Sequence, residues 1–383
     1  MKVLWATQVY PRRSGDILGS FLHRLARGLP ERNVVVEVLA PAADGLPSEE
    51  TIDGVKVRRF RYAPEGEGRI AYTGEMHRAA RRNPAQFLAF LRAFRSAVRG
   101  TLAADRFDVV HSHWWAPPGL LAGPAARRHG AKHVISLHGT DVRLVDRLPF
   151  GRRAAQRVLG KADLLLPVSR HLARAIEPWR GDTPVEVLPM PADGERFRPG
   201  THERRGVLAV ARLTTQKQID HAVEAVAVLR KRGTHVPFTI VGDGPERRPL
   251  ESLAARRGVG DLVSFTGECT GEDLVAHYQR GRALVVPSDR EGYGLVVIEA
   301  GLCETPTVGV RSGALEELID DGTTGWLAPL GDVEALADGI AAAVADGAEA
   351  ARRGAAARER ALAGTTGPLA ERLVDLYARL ARP

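Results

Sequence analysis

Pro287-Ser288-Asp289-Arg290-Glu291-Gly292-Tyr293-Gly294-Leu295-Val296-Val297-Ile298-Glu299-Ala300 is a breaker-rich turn that runs into an apolar segment, with two carboxylates, Glu291 and Glu299, along it. Immediately upstream, Arg282-Ala-Leu-Val-Val-Pro287 reads as a short buried strand that ends in a breaker. The order is strand, glycine-rich loop, helix start. Such a junction aims backbone N–H groups and the positive end of a helix dipole at an anion, most often a phosphate. Glu291 falls in the loop mouth and Glu299 a little over one turn inside the helix. Two acceptors beside a phosphate cradle suit a ligand that carries both phosphates and hydroxyls. A nucleotide sugar is such a ligand.

Outward from this turn, short apolar strands alternate with helical patterns along the whole chain. Val3–Thr7, Val34–Leu39, Val109–His111, Val134–Leu137 and Leu164–Val168 are strand candidates in the first half. Val207–Val210, Phe238–Val241, Leu262–Phe265, Ala283–Val286 and Thr307–Val310 follow in the second. Runs of Val, Ile and Leu without strict alternation imply strands buried on both faces, hence parallel α/β sheets. Amphipathic helices such as Asp220–Lys231 lie between them. With 383 residues, two domains are expected. The breakers of Leu188-Pro-Met-Pro-Ala-Asp-Gly-Glu-Arg-Phe-Arg-Pro199 mark the boundary. Two sheets of similar size joined by one linker leave a cleft between them, where open α/β sheets bind ligands.

Composition excludes several function classes. No apolar run reaches the ~20 residues needed to span a bilayer, and the N-terminus reads as a strand rather than a signal peptide. Cys269 and Cys303 are the two cysteines, neither in a CxxC pair, so a disulfide framework or thiolate metal site is not expected. The expected compartment is the cytoplasm. Residues 1–190 carry 30 Lys and Arg against 18 Asp and Glu, and the remainder carries 24 against 28. This asymmetry fits either an anionic partner for the first half or merely solvated arginine-rich helix faces. Nucleic acid is not an expected partner, because no helix-turn-helix, zinc-finger or RRM signature accompanies the charge. A helix over Phe87–Leu102, with Asn83 at its N-cap and Pro84 at N1, has an apolar stripe of Phe87, Leu88, Phe90, Leu91, Phe94 and Val98. Arg78, Arg81, Arg82, Arg92, Arg95 and Arg99 surround it, so it either lies on an anionic membrane or packs on its own sheet, and the second is favoured.

Arg212 and Lys217 follow a strand five residues apart, suited to a diphosphate whose charge grows as it leaves. Together, Ala211-Arg212-Leu213…Lys217, Val241-Gly-Asp-Gly-Pro245, Ser288…Glu291-Gly-Tyr-Gly…Glu299-Ala300 and Asp320-Asp-Gly-Thr-Thr-Gly-Trp-Leu327 stand in order. In them the second half resembles the retaining GT-B glycosyltransferases of the family 4 type, the glycosyl transferases of group 1. The first half resembles them more loosely, through Tyr10-Pro11, Gly15…Gly19, His111-Ser-His113-Trp114 and His138-Gly-Thr-Asp141. That family commonly pairs glycines in the first strand–helix loop, whereas here Gly15 and Gly19 are separated.

The resemblance implies a GT-B fold, two Rossmann-like parallel-sheet domains facing a central cleft. Residues 1–190 become the acceptor-side domain, joined by a returning terminal helix at 367–383, and residues 191–366 the donor-binding domain. It implies transfer of a sugar from a nucleotide-diphosphate sugar to a hydroxyl-bearing acceptor, with an anionic or lipid-linked molecule, a polysaccharide precursor and a small natural product all open as that acceptor. Arg212 and Lys217 would bind the diphosphate with backbone groups near Gly19, Gly242, Gly292, Gly294 and Leu295. Glu299 would take the ribose hydroxyls, Glu291 the transferred sugar, and the loop Glu268–Thr270 the base. No metal and no cofactor are implied. His138 ends a strand, and its counterpart in similar enzymes lies beside the donor sugar. Asp141 either binds acceptor hydroxyls or caps the following helix, and His113 has an acceptor-side or packing role with Trp114 and Trp115. His111 and His113 share a strand face without a third ligand, so zinc is not expected. Trp114 and Trp115 read as core or interface, with sugar stacking the less favoured alternative. The rival readings are a GT-B epimerase, a phosphorylase, a dehydrogenase and a non-catalytic nucleotide-sugar binder. The first strand lacks the GxGxxG that a dehydrogenase needs.

Overall fold

The computed structural model describes residues 1–16, 18–73 and 76–381. The chain forms two compact units, 1–191 with 366–383, and 192–365. In the first unit, the described strands are β1 (Lys2–Ala6), β2 (Val35–Pro41), β3 (Glu49–Ile52), β4 (Val55–Phe60), β5 (Val109–His113), β6 (Lys132–Leu137) and β7 (Leu164–Pro167). Their order is β3-β4-β2-β1-β5-β6-β7. The second unit contains β8 (Val207–Val210), β9 (Phe238–Val241), β10 (Val263–Gly267), β11 (Ala283–Val286), β12 (Thr307–Val310) and β13 (Gly325–Ala328), in the order β10-β9-β8-β11-β12-β13. All the strands expected from sequence are present. Three more were missed, β3, β4 and β13, and β3 corrects the purely parallel expectation because it runs antiparallel to β4. The turn between them is Asp53-Gly54, both with positive φ, the conformation a two-residue hairpin requires.

Both faces of the first sheet are covered. On β1, Val3 and Trp5 enter one core while Leu4 and Ala6 enter the other. The second of these cores is roofed by the helix Pro84–Ala104, whose Phe94 stacks on Phe60 at 4.8 Å between ring centroids. Phe90, Phe94 and Val98 are fully buried, so the stripe packs on its own sheet. Leu88, assigned to the stripe from sequence, is instead exposed, because it lies on the side that carries Arg92, Arg95 and Arg99. Asn83 holds the N-cap position but makes no side-chain cap; its amide donates back to the Ala79 carbonyl at 3.3 Å.

The other core is completed from the far end of the chain. The helix Thr366–Ala381 buries Leu369, Ala370, Leu373, Leu376 and Tyr377 against Trp5, Leu22, Leu25 and Leu29. Residues 382–383 of the helix expected at 367–383 lie outside the described residues. Among the described residues, no helix is long and apolar enough to cross a membrane.

Among the parallel strands of each sheet the order reverses in the middle, between β1 and β5 and between β8 and β11. Loops leaving the carboxyl ends of such strand pairs diverge and open a crevice. The loops Ala211–Gln218 and Pro287–Gly294 leave this point in the second unit; the segment from Thr7 to Asp16 and Trp114–Gly119 leave it in the first.

Phe94→Ala is expected to destabilise the first unit by about 3–5 kcal/mol through loss of buried area and cavity formation, whereas Arg95→Ala should stay within about 0.5 kcal/mol. Denaturant unfolding of the two variants checks this; equal effects would place the helix stripe outside the core.

Candidate active site

The second unit builds its site from backbone contacts that continue beyond the sheet. After β8, Ala211 N–H donates to the Val241 carbonyl at 3.0 Å and Leu213 N–H to the Asp243 carbonyl at 2.9 Å. A Cβ at Gly242 would stand 1.9 Å from the Ala211 oxygen, and one at Gly244 would stand 2.3 Å from the Leu213 oxygen. The Val-Gly-Asp-Gly-Pro turn therefore needs its glycines for the close approach of the chain that carries Arg212.

The 211–218 loop is then tied to the loop after β11. Asp289 N–H donates to the Gln216 carbonyl at 3.0 Å, and the Gln216 side-chain amide donates back to the Asp289 carbonyl at 3.2 Å. On the other side, Arg290 N–H donates to Ser312 Oγ at 2.7 Å and Ala314 N–H to the Glu291 carbonyl at 2.9 Å. Gly313 passes so close that a Cβ there would sit 2.4 Å from that carbonyl oxygen. These clamps set Lys217 Nζ 2.6 Å from Glu291 Oε2, with both side chains mostly shielded from solvent. The cation expected at a diphosphate and the carboxylate expected at a sugar are thus direct partners.

Gly294 occupies the left-handed region, φ +86°, and starts the helix Leu295–Leu302. No acidic side chain lies in the first turn of this helix, whose N–H groups and dipole give its start a positive end. Glu299 is buried within it and accepts a 2.9 Å hydrogen bond from the hydroxyl of Tyr278, which is fully buried in the helix Gly271–Arg280. Burial and the adjacent Glu299 push the Tyr278 phenol well above its ordinary pKa, so it stays a donor. Thr270 takes the N-cap position of that helix, directly after Glu268 and Cys269. Sequence reading missed Gln216, Ser312, Gly313 and Tyr278. Arg311-Ser-Gly313 carried a legible signal, because it is a breaker at the carboxyl end of a strand, like the loops that were recognised.

In the first unit, Gly19 has φ +76° and starts the helix Ser20–Arg27. A Cβ on it would crowd Tyr10 Cα at 3.1 Å, whereas nothing lies within 4 Å of one on Gly15. Only Gly19 of the separated pair serves a close approach. At the ends of β5 and β6 a ring column forms. His111 stacks on His113 at 4.4 Å, and His113 Nδ1 and His138 Nε2 share a hydrogen bond of 3.4 Å. Trp114 lies against His138 at 4.7 Å and Trp115 is buried, its indole donating to the Asp141 carbonyl at 3.0 Å. Burial holds the His111, His113 and His138 pKa values below the ordinary range. Among the described residues, no group of three or more His, Cys, Asp or Glu side chains could hold a metal ion.

Asp141 does not cap the following helix in the N-cap sense, because Gly139 occupies that position. Instead its Oδ1 folds back to accept the His138 N–H at 3.1 Å and the Gly139 N–H at 2.9 Å. Its Oδ2 is buried and has no hydrogen-bond partner among the described residues.

With this geometry in place, comparison with known proteins decides the family. The glycosyl transferases group 1 family matches residues 193–360, and the glycosyl transferase 4-like domain matches residues 18–191. A protein of Mycolicibacterium smegmatis, a GDP-mannose-dependent alpha-(1-6)-phosphatidylinositol monomannoside mannosyltransferase, is 31% identical over 86% of this chain and 93% of its own. The chain belongs to the group 1 glycosyltransferases. A second relative of this glycosyltransferase, the D-inositol 3-phosphate glycosyltransferase of Salinispora tropica, is 31% identical over 95% of this chain and 81% of its own. Among solved structures, sucrose-phosphate synthase from Thermosynechococcus elongatus superposes with a TM-score of 0.79 at 21% identity, covering 99% of each chain. The Anabaena HepE protein bound to UDP-glucose gives 0.72 at 18% identity, covering 99% of this chain and 100% of its own. The glycosyltransferase therefore has the GT-B fold.

Burial raises Asp141 from the ordinary carboxylate range, ~3.9, to about 6. The folded state thus binds this proton more tightly, and the stability it contributes is full below about pH 4 and lost as pH rises through about 6. Asp141→Asn keeps an acceptor for both amides and is expected to remove that loss, on the order of 2–3 kcal/mol at pH 7. Denaturant midpoints measured from pH 4 to 7 check it; parallel pH slopes in the two proteins would contradict it.

Proposed function

We propose that this chain is a retaining, metal-independent glycosyltransferase that moves a hexose from a nucleoside-diphosphate sugar to a hydroxyl of a phosphorylated inositol acceptor. The observation that carries the reading is the meeting of Lys217 with Glu291 at the strand-order reversal, on loops that also bear Arg212 and the start of the 295–302 helix. Arg212, Lys217 and the first-turn N–H groups stabilise the negative charge that grows on the departing diphosphate. They supply what a divalent cation would otherwise provide. On donor binding the diphosphate competes for Lys217, and Glu291 turns to the sugar hydroxyls and the developing oxocarbenium ion. The C1–O bond to the diphosphate breaks, the acceptor oxygen bonds C1 from the same face, and its proton passes to the leaving phosphate oxygen. Anomeric configuration is retained.

Glu299 holds the ribose hydroxyls, with Tyr278 fixing its carboxylate, and residues 268–270 line the base. Gly242, Gly292, Gly294 and Leu295 let the backbone approach the donor. His138, half-buried at the end of its column, is assigned to the sugar, with the buried His113 and Asp141 behind it on the acceptor side, and Gly19 to close backbone approach in its own loop. The inositol acceptor is supported by the relatives, whose names join a sugar transfer to an inositol phosphate or a phosphatidylinositol mannoside. GDP-mannose is the first donor to test. The exposed Arg92, Arg95 and Arg99 fit an anionic acceptor or the cytoplasmic face of an anionic membrane.

Purified protein supplied with GDP-, UDP- or ADP-hexoses and inositol phosphate acceptors is expected to turn over with EDTA present and to give a product of unchanged anomeric configuration by NMR. Glu291→Ala should lower kcat by about 10²–10³. Tight nucleotide binding without turnover on any donor would favour a sensor instead, and inactivation by EDTA would overturn metal independence. Tyr278→Phe should raise the donor KM severalfold with little change in kcat and weaken discrimination between ribose and deoxyribose donors. Unchanged discrimination would remove Tyr278 from the nucleoside site.

A further inference from the structure

The ring column that ends at His138 starts on the terminal helix. Tyr377 is fully buried, and its hydroxyl meets two partners, Trp5 Nε1 at 3.0 Å and His111 Nδ1 at 2.5 Å. The indole only donates, so the phenol oxygen accepts from Trp5. That leaves the phenol proton for His111, whose ring burial keeps neutral, and a phenol donating to the bare nitrogen is the favoured direction, since it is a stronger acid than the N–H of a neutral imidazole. His111 then carries its own proton on Nε2, which faces Ser136 Oγ at 2.8 Å. Both ring nitrogens of His111 are thereby used, and the ring is fixed in plane and tautomer. On it lies His113 at 4.4 Å, further braced by the Trp5 indole at 4.6 Å, and His113 Nδ1 holds His138 Nε2.

We propose that Tyr377 is a positioning residue for His138, acting through His111 and His113. This rests on the assignment of His138 to the transferred sugar. Tyr377 touches no substrate and changes no charge. It removes the alternative tautomer and tilt of His111 that would let the column shift, and a reacting geometry displaced by a fraction of an ångström slows chemistry without weakening donor affinity.

The test is Tyr377→Phe in the full chain, beside His138→Ala and Ser136→Ala. Long-range proton–nitrogen correlation of the histidine rings should show a single Nε2–H tautomer at His111 in the wild type and a mixture in Tyr377→Phe. The Tyr377→Phe protein is expected to bind GDP and UDP as the wild type does, yet to show a kcat for transfer lowered about tenfold at unchanged donor KM. An Nδ1–H tautomer at His111 in the wild type, or wild-type kcat in Tyr377→Phe when His138→Ala is impaired, overturns the proposal. Wild-type kcat in His138→Ala shows instead that the assignment of His138 has failed, and the proposal falls with it. If Tyr377→Phe does not fold, Ser136→Ala decides, because it frees the same ring at Nε2. A matching fall in kcat supports positioning, and wild-type kcat overturns it.

Discussion

Past the end of β8, the backbone of Ala211–Leu213 stays hydrogen-bonded to Val241–Asp243, and the two glycines of that turn let the chains approach more closely than any side chain permits. Everything in the second unit's site depends on this contact. It fixes the path of the loop, the loop places Gln216 against Asp289, and that clamp sets Lys217 on Glu291. The site is therefore built by backbone before it is furnished by side chains. A cation held by a main-chain clamp loses less conformational freedom on meeting an anion than one on a mobile loop.

The two units use different physics at corresponding places. In the second, opposite charges meet on clamped loops, in an ion pair mostly shielded from solvent. In the first, neutral rings stack in a buried column, and burial keeps the histidines from taking up protons. One arrangement is a charged pair held by main-chain clamps; the other is a neutral, close-packed column.

Much of this was legible in the residues themselves. Apolar runs located the parallel strands because burial on both faces leaves no room for polar alternation, and the charged positions stood at strand ends. β3 and β4 were missed because Glu49, Glu50, Lys56, Arg58 and Arg59 break the apolar pattern; they pair as charges across an edge hairpin. The Asp53-Gly54 turn was the available signal. Asp141 could not be resolved from sequence, since one carboxylate can cap a helix or fold back to its own loop, and the choice depends on the turn at Gly139. Tyr278 and Tyr377 were illegible for a related reason. Both sit on helix faces patterned like any core stripe, and only tertiary packing shows that their hydroxyls meet Glu299 and His111.

The terminal helix has a consequence for how the molecule is made. Its Leu369, Leu373, Leu376 and Tyr377 belong to the same core as β1, yet the whole second unit separates them in the chain. During vectorial synthesis the first unit emerges lacking one wall of that core, with Trp5 and its neighbours uncovered, while the second unit is complete within one uninterrupted segment. The later-made half can close on its own; the earlier-made half must wait for the last turns of the chain.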